Sequence, residues 1–289
     1  MQRSDTLQRF LFEHSNVRGI FIHLGNSYQT ILGRYDYPAE VGQQLGQALV
    51  ASSLLSSTIK FDGSLIMQTQ SSGPINMLVA QSNNQHQIRG LARWQDELLA
   101  EKPNDLYGDG HMTITIDNKN DDRYQGIVDL AGGSLARAIE NYFKQSEQIQ
   151  THIWLAADGQ QAVGMLLQHL PGKEPDQDIW NRLEALGATL TNEEMLNLST
   201  EEILFRLFHE EEVRLFDAEP ISFRCSCSHD KVADMLRALG PDEVHDIIEQ
   251  EKKISVGCEF CNQQYEFDRV DAEQLFASST PTPGSNSSH

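Results

Sequence analysis

The chain has 289 residues, 39% of them hydrophobic and 22% charged, a composition typical of a soluble globular protein with length enough for two domains. Its net charge of −20 argues against a phosphate-tracking surface, because nucleic-acid affinity rests on Lys and Arg neutralising phosphates. No stretch reaches the roughly 18 apolar residues of a membrane span, and MQRSDTLQRFLFEHSNVRG at the N-terminus lacks the apolar core of a secretory signal. A cytoplasmic protein with neither nucleic-acid nor membrane partners is expected.

From about residue 18 to 170, short strands mix with a few helices. RGIFIHL (18–24), SLIMQTQ (64–70), INMLVAQ (75–81), IRGLARW (88–94), MTITID (112–117) and GIVDL (126–130) alternate or run apolar between Gly, Asn and Asp punctuation. Pro38 opens a helix over 38–58, and a second over 134–148 carries Leu135, Ile139, Tyr142 and Phe143 on one face. THIWLAA and QAVGMLLQHL flank Asp158-Gly159, a hairpin turn signal. Residues 1–171 therefore read as an α+β domain built on antiparallel sheet.

After residue 171 the composition shifts. Residues 172–224 hold 13 acidic and 5 basic side chains, a local net of −8. Trp180, Leu183 and Leu186 mark one amphipathic piece. Two more open with the S/T-x-x-E capping pattern, Thr191 with Glu194 and Ser199 with Glu202, the second leading into Ile203, Leu204, Leu207 and Phe208. Each is shorter than the ~12–15 residues below which an isolated helix is marginal in water, so this acidic helical linker needs something to lie against. The run Glu210-Glu211-Glu212 reads as a solvated helix face.

The last module, 225–276, places Val232, Met235, Leu236 and Leu239 at helical spacing, breaks at Gly240-Pro241, and resumes with Val244, Ile247 and Ile248. ISVGCEFCNQQYEFD then reads as a hairpin with its CxxC at the turn. The tail 277–289, SSTPTPGSNSSH after Ala277, is Pro/Ser-rich and expected to be disordered.

All four cysteines fall in this module, Cys225 and Cys227 as C-x-C, then 30 residues on Cys258 and Cys261 as C-x-x-C. In a reducing compartment two such pairs point to a metal or to redox chemistry before permanent disulfides. Four thiolates at ~2.3 Å suit tetrahedral Zn²⁺, one per chain, with each tight pair chelating as one arm. The alternatives are a purely structural zinc site and incidental buried thiols. The CxxC lacks the βαβ setting of a thioredoxin motif. His229 and His245 read as surface residues, Asp109 and His111 as a turn at a strand end, and Gly132-Gly133 as a helix entry without the Walker Lys. No nucleophile–base set suggests an enzyme.

CSC at 225–227, CEFC at 258–261 with NQQYEFD after it, and YFKQSEQ at 142–148 together resemble the 33 kDa chaperonin family, the redox-regulated heat-shock holdases of bacteria. The likeness runs over nearly the whole chain. It implies an ATP-independent chaperone, inactive while reduced and zinc-bound. Oxidation would eject zinc, form the disulfides Cys225–Cys227 and Cys258–Cys261, and unfold the linker. Trp180, Leu204, Leu207 and Phe208, packed on the N-terminal domain in the reduced state, would then be freed. The resemblance also implies unfolding client proteins and ATP-dependent foldases as partners, and a homodimer when oxidised. A constitutive interaction module with a structural zinc site is the competing function.

Overall fold

A computed structural model of the chain describes residues 4–101, 105–119, 123–130, 134–170 and 177–277. Packing divides the chain into two units at the Arg224–Cys225 junction. The larger opens with β1 (Thr6–Phe12), β2 (Val17–Leu24), the short helix α1 (Asn26–Leu32) and the long helix α2 (Ala39–Ser56). Then come β3 (Gly63–Ser71), β4 (Met77–Asn83), β5 (Gln87–Arg93), α3 (Asp96–Glu101), β6 (Gly110–Asn118) and β7 (Tyr124–Asp129). Helix α4 (Leu135–Tyr142) leads into a π turn over Phe143–Glu147, followed by β8 (Thr151–Ala157) and β9 (Ala162–His169). Three helices, α5 (Gln177–Gly187), α6 (Asn192–Asn197) and α7 (Thr200–Phe208), precede three very short strands, β10 (Val213–Leu215), β11 (Glu219–Pro220) and β12 (Ser222–Phe223).

The strands form two sheets. The first has the order β10-β1-β2-β9-β8, with β11 also paired to β1, and the second the order β12-β5-β4-β3-β6-β7. Every pairing is antiparallel except that of β12 with β5. Helix α2 packs against β2, β8 and β9 of the first sheet and β3, β4 and β5 of the second. Thirteen of its 18 residues are buried, so it is enclosed on nearly all sides, as a helix between two sheets must be. A Cβ on Gly164 would lie 2.5 Å from Val50 Cγ1, so β9 passes this close to α2 only by lacking a side chain there.

Strand periodicity divides the first sheet into two apolar faces. Leu7, Ile20, Ile22, Leu24 and Leu166 join the core around α2. The intervening Phe10, Phe12, Val17, Phe21, Val163, Met165 and Leu167 form a second cluster with Trp180, Leu183, Met195, Ile203, Leu204, Leu207 and Phe208 of α5–α7. Because both faces are covered, β9 is buried at every position. The Phe208 ring meets Phe12 edge-on at 5.0 Å. Both capping boxes form: the Glu194 and Glu202 N–H groups donate to Thr191 Oγ1 and Ser199 Oγ, each at 3.2 Å, and each Glu carboxylate accepts the N–H of its cap residue.

Several expectations need correction. The segment read as a helical linker ends in strands, because β1 and β5 offer it backbone partners. Glu210, Glu211 and Glu212 follow α7 in a turn, where Glu211 meets Arg182 at 2.6 Å and Glu212 meets His14 at 3.2 Å. The helix expected over 134–148 is α-helical only to Tyr142. Asp158 and Gly159 do lie in a hairpin loop, but Asp158 works from its first position, its carboxylate accepting the N–H groups of Gln160 and Gln161. Gly132-Gly133, the 171/172 boundary and all of the tail after Ala277 lie outside the described residues.

The smaller unit comprises α8 (His229–Leu239), α9 (Pro241–Glu251), β13 (Ile254–Gly257), β14 (Gln264–Phe267) and α10 (Arg269–Ala277), with β13 and β14 as an antiparallel hairpin. Gly240, at φ 107°, makes the break between α8 and α9 in a conformation that side-chain-bearing residues avoid. Ala233, Leu236, Val244, Ile248, Ile254, Phe267, Ala272 and Leu275 form the core. Met235 and Leu239, expected on the buried face of α8, are half exposed; the inward positions are Ala233 and Leu236.

Candidate metal centre

Each pair of sulfurs is set by its own local structure. Cys225 and Cys227 lie in the extended stretch leading to α8, whose cap Ser228 accepts the Lys231 N–H at 3.2 Å. Cys258 and Cys261 occupy the tight turn between β13 and β14. There the Asn262 N–H donates to the Cys258 carbonyl at 2.7 Å, the Cys258 N–H donates to the Gln263 carbonyl at 2.9 Å, and Asn262 takes φ 58°. The two arms meet: all four Sγ atoms lie within 4.8 Å of one another. Cys225 and Cys258 are 3.6 Å apart and Cys227 and Cys261 3.4 Å. Four thiolates at ~2.3 Å around one tetrahedral ion stand about 3.8 Å apart, so donor type and spacing both fit a soft divalent cation.

The sulfurs are half-buried and hydrogen-bonded. Cys225 accepts from the Cys227 N–H, Cys258 from the Cys261 and Phe260 N–H groups, and Cys261 from the Gln263 N–H. Cys227 accepts from the Tyr265 hydroxyl, at 3.1 Å. Burial works to raise the Cys225 thiol, but the backbone N–H and the neighbouring thiols outweigh it and hold it at about 7. Burial pushes Cys258 up and Cys261 up to about 12. Among Cys225, Cys258 and Cys261 a first negative charge is shared through hydrogen bonds, and each later one must form beside it. A divalent cation at the centre would reverse that order of preference. His229, stacked on Phe267 at 4.4 Å, and His245, with Nδ1 2.7 Å from the Pro241 carbonyl, are exposed and stand outside the cluster.

In the larger unit, Trp180, Leu204, Leu207 and Phe208 are all buried in the cluster on the outer face of the first sheet. A residue not singled out from sequence joins them. His152 on β8 is 3.3 Å from Glu140 of α4 through Nδ1 and 3.1 Å from Glu184 of α5 through Nε2. Its ring stacks on Trp180 at 5.5 Å. The Glu140 hydrogen bond, ahead of the opposing effect of burial, raises the imidazole above its ordinary value. His152 belongs to no local motif, and although Tyr265 lies within the NQQYEFD run, its partner Cys227 is far off in sequence, so only the fold reveals what either residue touches.

A family model described as Hsp33 protein matches residues 5–268. The chain belongs to the Hsp33 family. Among Hsp33 relatives, the 33 kDa chaperonin of Nitrosococcus oceani is 48% identical over 289 residues, covering 100% of both chains. That of Methylobacillus flagellatus is 44% identical over 293 residues, again covering 100% of both. The crystal structure of the 33 kDa chaperonin from Thermotoga maritima has the same fold, with TM-score 0.80 at 22% identity, over 94% of this chain and 97% of that one. The Hsp33 match thus takes in the first sheet, the helices on it and the four-cysteine cluster.

Proposed function

We propose that the protein is a redox-regulated, ATP-independent chaperone, a holdase that is quiet while its four thiols are reduced and metal-bound and that oxidation switches on. The observation that carries this reading is the outer face of the first sheet. Phe10, Phe12, Phe21, Met165 and Leu167 are buried beneath helices of 11, 6 and 9 residues, none long enough to persist alone. An apolar surface under a marginal cover suits a protein that must present that surface on demand.

Cys225, Cys227, Cys258 and Cys261 would hold one Zn²⁺. Bound there, zinc would keep the sulfurs as thiolates and tie the two arms together, contributing an apparent ~10–16 kcal/mol. Eight buried apolar side chains form the rest of this unit's core, few for a fold of about 50 residues without such a tie. On oxidation the two thiolates of each arm would give two electrons to a peroxide, leaving one S–S bond and two hydroxide ions, which take two protons from solvent to become water. The pairing Cys225–Cys227 and Cys258–Cys261 is the one the family resemblance implies. Disulfides closing loops this short constrain the unfolded chain little, so the small unit loses its fold.

The chain itself couples that event to the cover. The Arg224 N–H donates to the Ile88 carbonyl at 3.0 Å, one residue before Cys225, and the strand it extends is two residues long. With an unfolded chain beyond this anchor, residues 177–223 undock and the sheet face opens to clients. Clients would be unfolding proteins with exposed apolar segments, passed later to ATP-dependent foldases. Oxidised chains would associate as homodimers, and the cytoplasm would be the working compartment. No helix among the described residues is long and apolar enough to cross a membrane.

The test compares the reduced, zinc-loaded protein with the same protein after peroxide and mild heat. Zinc near one per chain should be released, peptide mapping should find the two neighbouring disulfides, and suppression of light scattering by a heat-denatured client should appear only after oxidation. Equal suppression before and after would establish the constitutive module with structural zinc instead.

A further inference from the structure

The hydrogen bonds around the four sulfurs are of two kinds. Cys225, Cys258 and Cys261 receive backbone N–H groups from their own arms. Cys227 receives a side chain from the opposite arm, the hydroxyl of Tyr265 at 3.1 Å. Tyr265 is fixed by the hairpin register, opposite Val256 on β13, and its half-buried ring packs against the small unit's core. The turn that presents Cys258 and Cys261 therefore also delivers a donor to the arm that carries Cys225 and Cys227.

We propose that Tyr265 is a positioning residue for the metal centre, holding Cys227 in the four-sulfur array and restraining its reaction with electrophiles. The inference rests on the metal reading above. Its chemistry is that of a ligand's outer partner: a donor fixes the ligand's orientation and draws electron density from it. The density drawn is what a thiolate would use to attack. A peroxide that takes two electrons from a pair of thiolates leaves one S–S bond and two hydroxide ions, and the first bond made in that process is from a sulfur lone pair. Tyr265 withholds part of that lone pair at Cys227 alone. Since the donor comes from the other arm, it also keeps the arms in register independently of the ion.

Tyr265→Phe removes the hydroxyl and retains the ring, so it separates this role from packing. In full-length reduced protein loaded with zinc, competition with a chelating dye should show affinity weakened on the order of 10-fold. Alkylation with N-ethylmaleimide, mapped by peptide mass spectrometry, should be several-fold faster at Cys227 and unchanged at Cys258. With Co²⁺ in place of zinc, the thiolate-to-metal charge-transfer band should move to lower energy. A ring-fluorinated tyrosine at the same position, a stronger donor of nearly the same shape, should move alkylation of Cys227 in the opposite direction. Wild-type affinity and an unchanged alkylation pattern in Tyr265→Phe would overturn the inference while leaving the metal reading standing. A uniform rise at all four cysteines would overturn it too, since that is loosened packing. A wild-type protein that binds no zinc would overturn both.

Discussion

On the inner face of the first sheet, Ile20, Ile22 and Leu166 meet α2, an 18-residue helix that also packs against the second sheet; on the outer face, Phe21, Met165 and Leu167 meet three separate helices of 11, 6 and 9 residues. Exposure does not distinguish the two sides, since all six strand residues are buried. Continuity does. Taking α2 away would dismantle two sheets at once, whereas α5–α7 touch the sheet from one side and depend on it for their own persistence. Equal burial can therefore accompany unequal support, and under the proposed function the less supported side is the one that leaves.

Replacing Leu204 and Phe208 together by Gln is the harshest way to test that difference. Both side chains are nearly fully buried, and losing them should cost docking on the order of 5 kcal/mol. Hydrogen exchange should then lose protection across 177–208 while β2, β9 and α2 keep theirs, and client holding should appear without oxidant. Retained protection in 177–208 would mean that the cover is not separable. Leu49→Ala, at a fully buried position of α2, should cost about 2–5 kcal/mol, read as a lower urea midpoint for the whole larger unit. If that loss were confined to 177–208, the inner face would be no more permanent than the outer one.

Smaller effects sharpen the contrast. Ser199→Ala removes one capping box and should destabilise α7 by about 1 kcal/mol, visible as faster local exchange with the sheet's own protection unchanged. The smallest effect is one of pH. His152 has its imidazole raised by Glu140, then by Glu184 across the docked α5, with Lys144 lining the same pocket. Glu140 stays beside His152 when α5 leaves, so only the Glu184 share bears on docking; it is present while the imidazole is charged and fades as pH climbs through the raised folded-state value. Protection of α5 should fall gently over this interval, and His152→Gln should flatten the slope. A slope that survives the substitution would assign the pH response elsewhere.

How much of this could be read in advance varied with the range of the signal. The cysteine pairs and both capping boxes are complete within four residues, and each appears where its spacing placed it. Strand β1 carries no alternating signal because both of its faces are covered: TLQRFLF brings Phe10, Leu11 and Phe12 together and loses the alternation that marks a half-buried strand. The buried face of α8 does not follow side-chain size: Ala233, small and weakly apolar, points inward while the larger Met235 does not. Strands β10, β11 and β12 have two or three residues each, too few for any period, and exist because β1 and β5 lie beside them. Tyr265 stands 38 residues from the sulfur it serves, beyond the reach of any local pattern.

Those three short strands do more than fasten the cover. With them in place, β1 and β5 each have neighbours on both sides. Once residues 213–223 lift away, both become edge strands and present rows of unpaired N–H and C=O groups to solvent. An extended segment of another chain can add to such an edge through backbone hydrogen bonds alone, whatever its sequence. In the proposed function, opening would offer a client two unlike holds, greasy side chains on a face and sequence-blind pairing at two margins, and would offer the same margins to a second open copy. A resting molecule with those margins bare would aggregate, which gives an idle chaperone its own reason to keep a few residues of strand clipped over each.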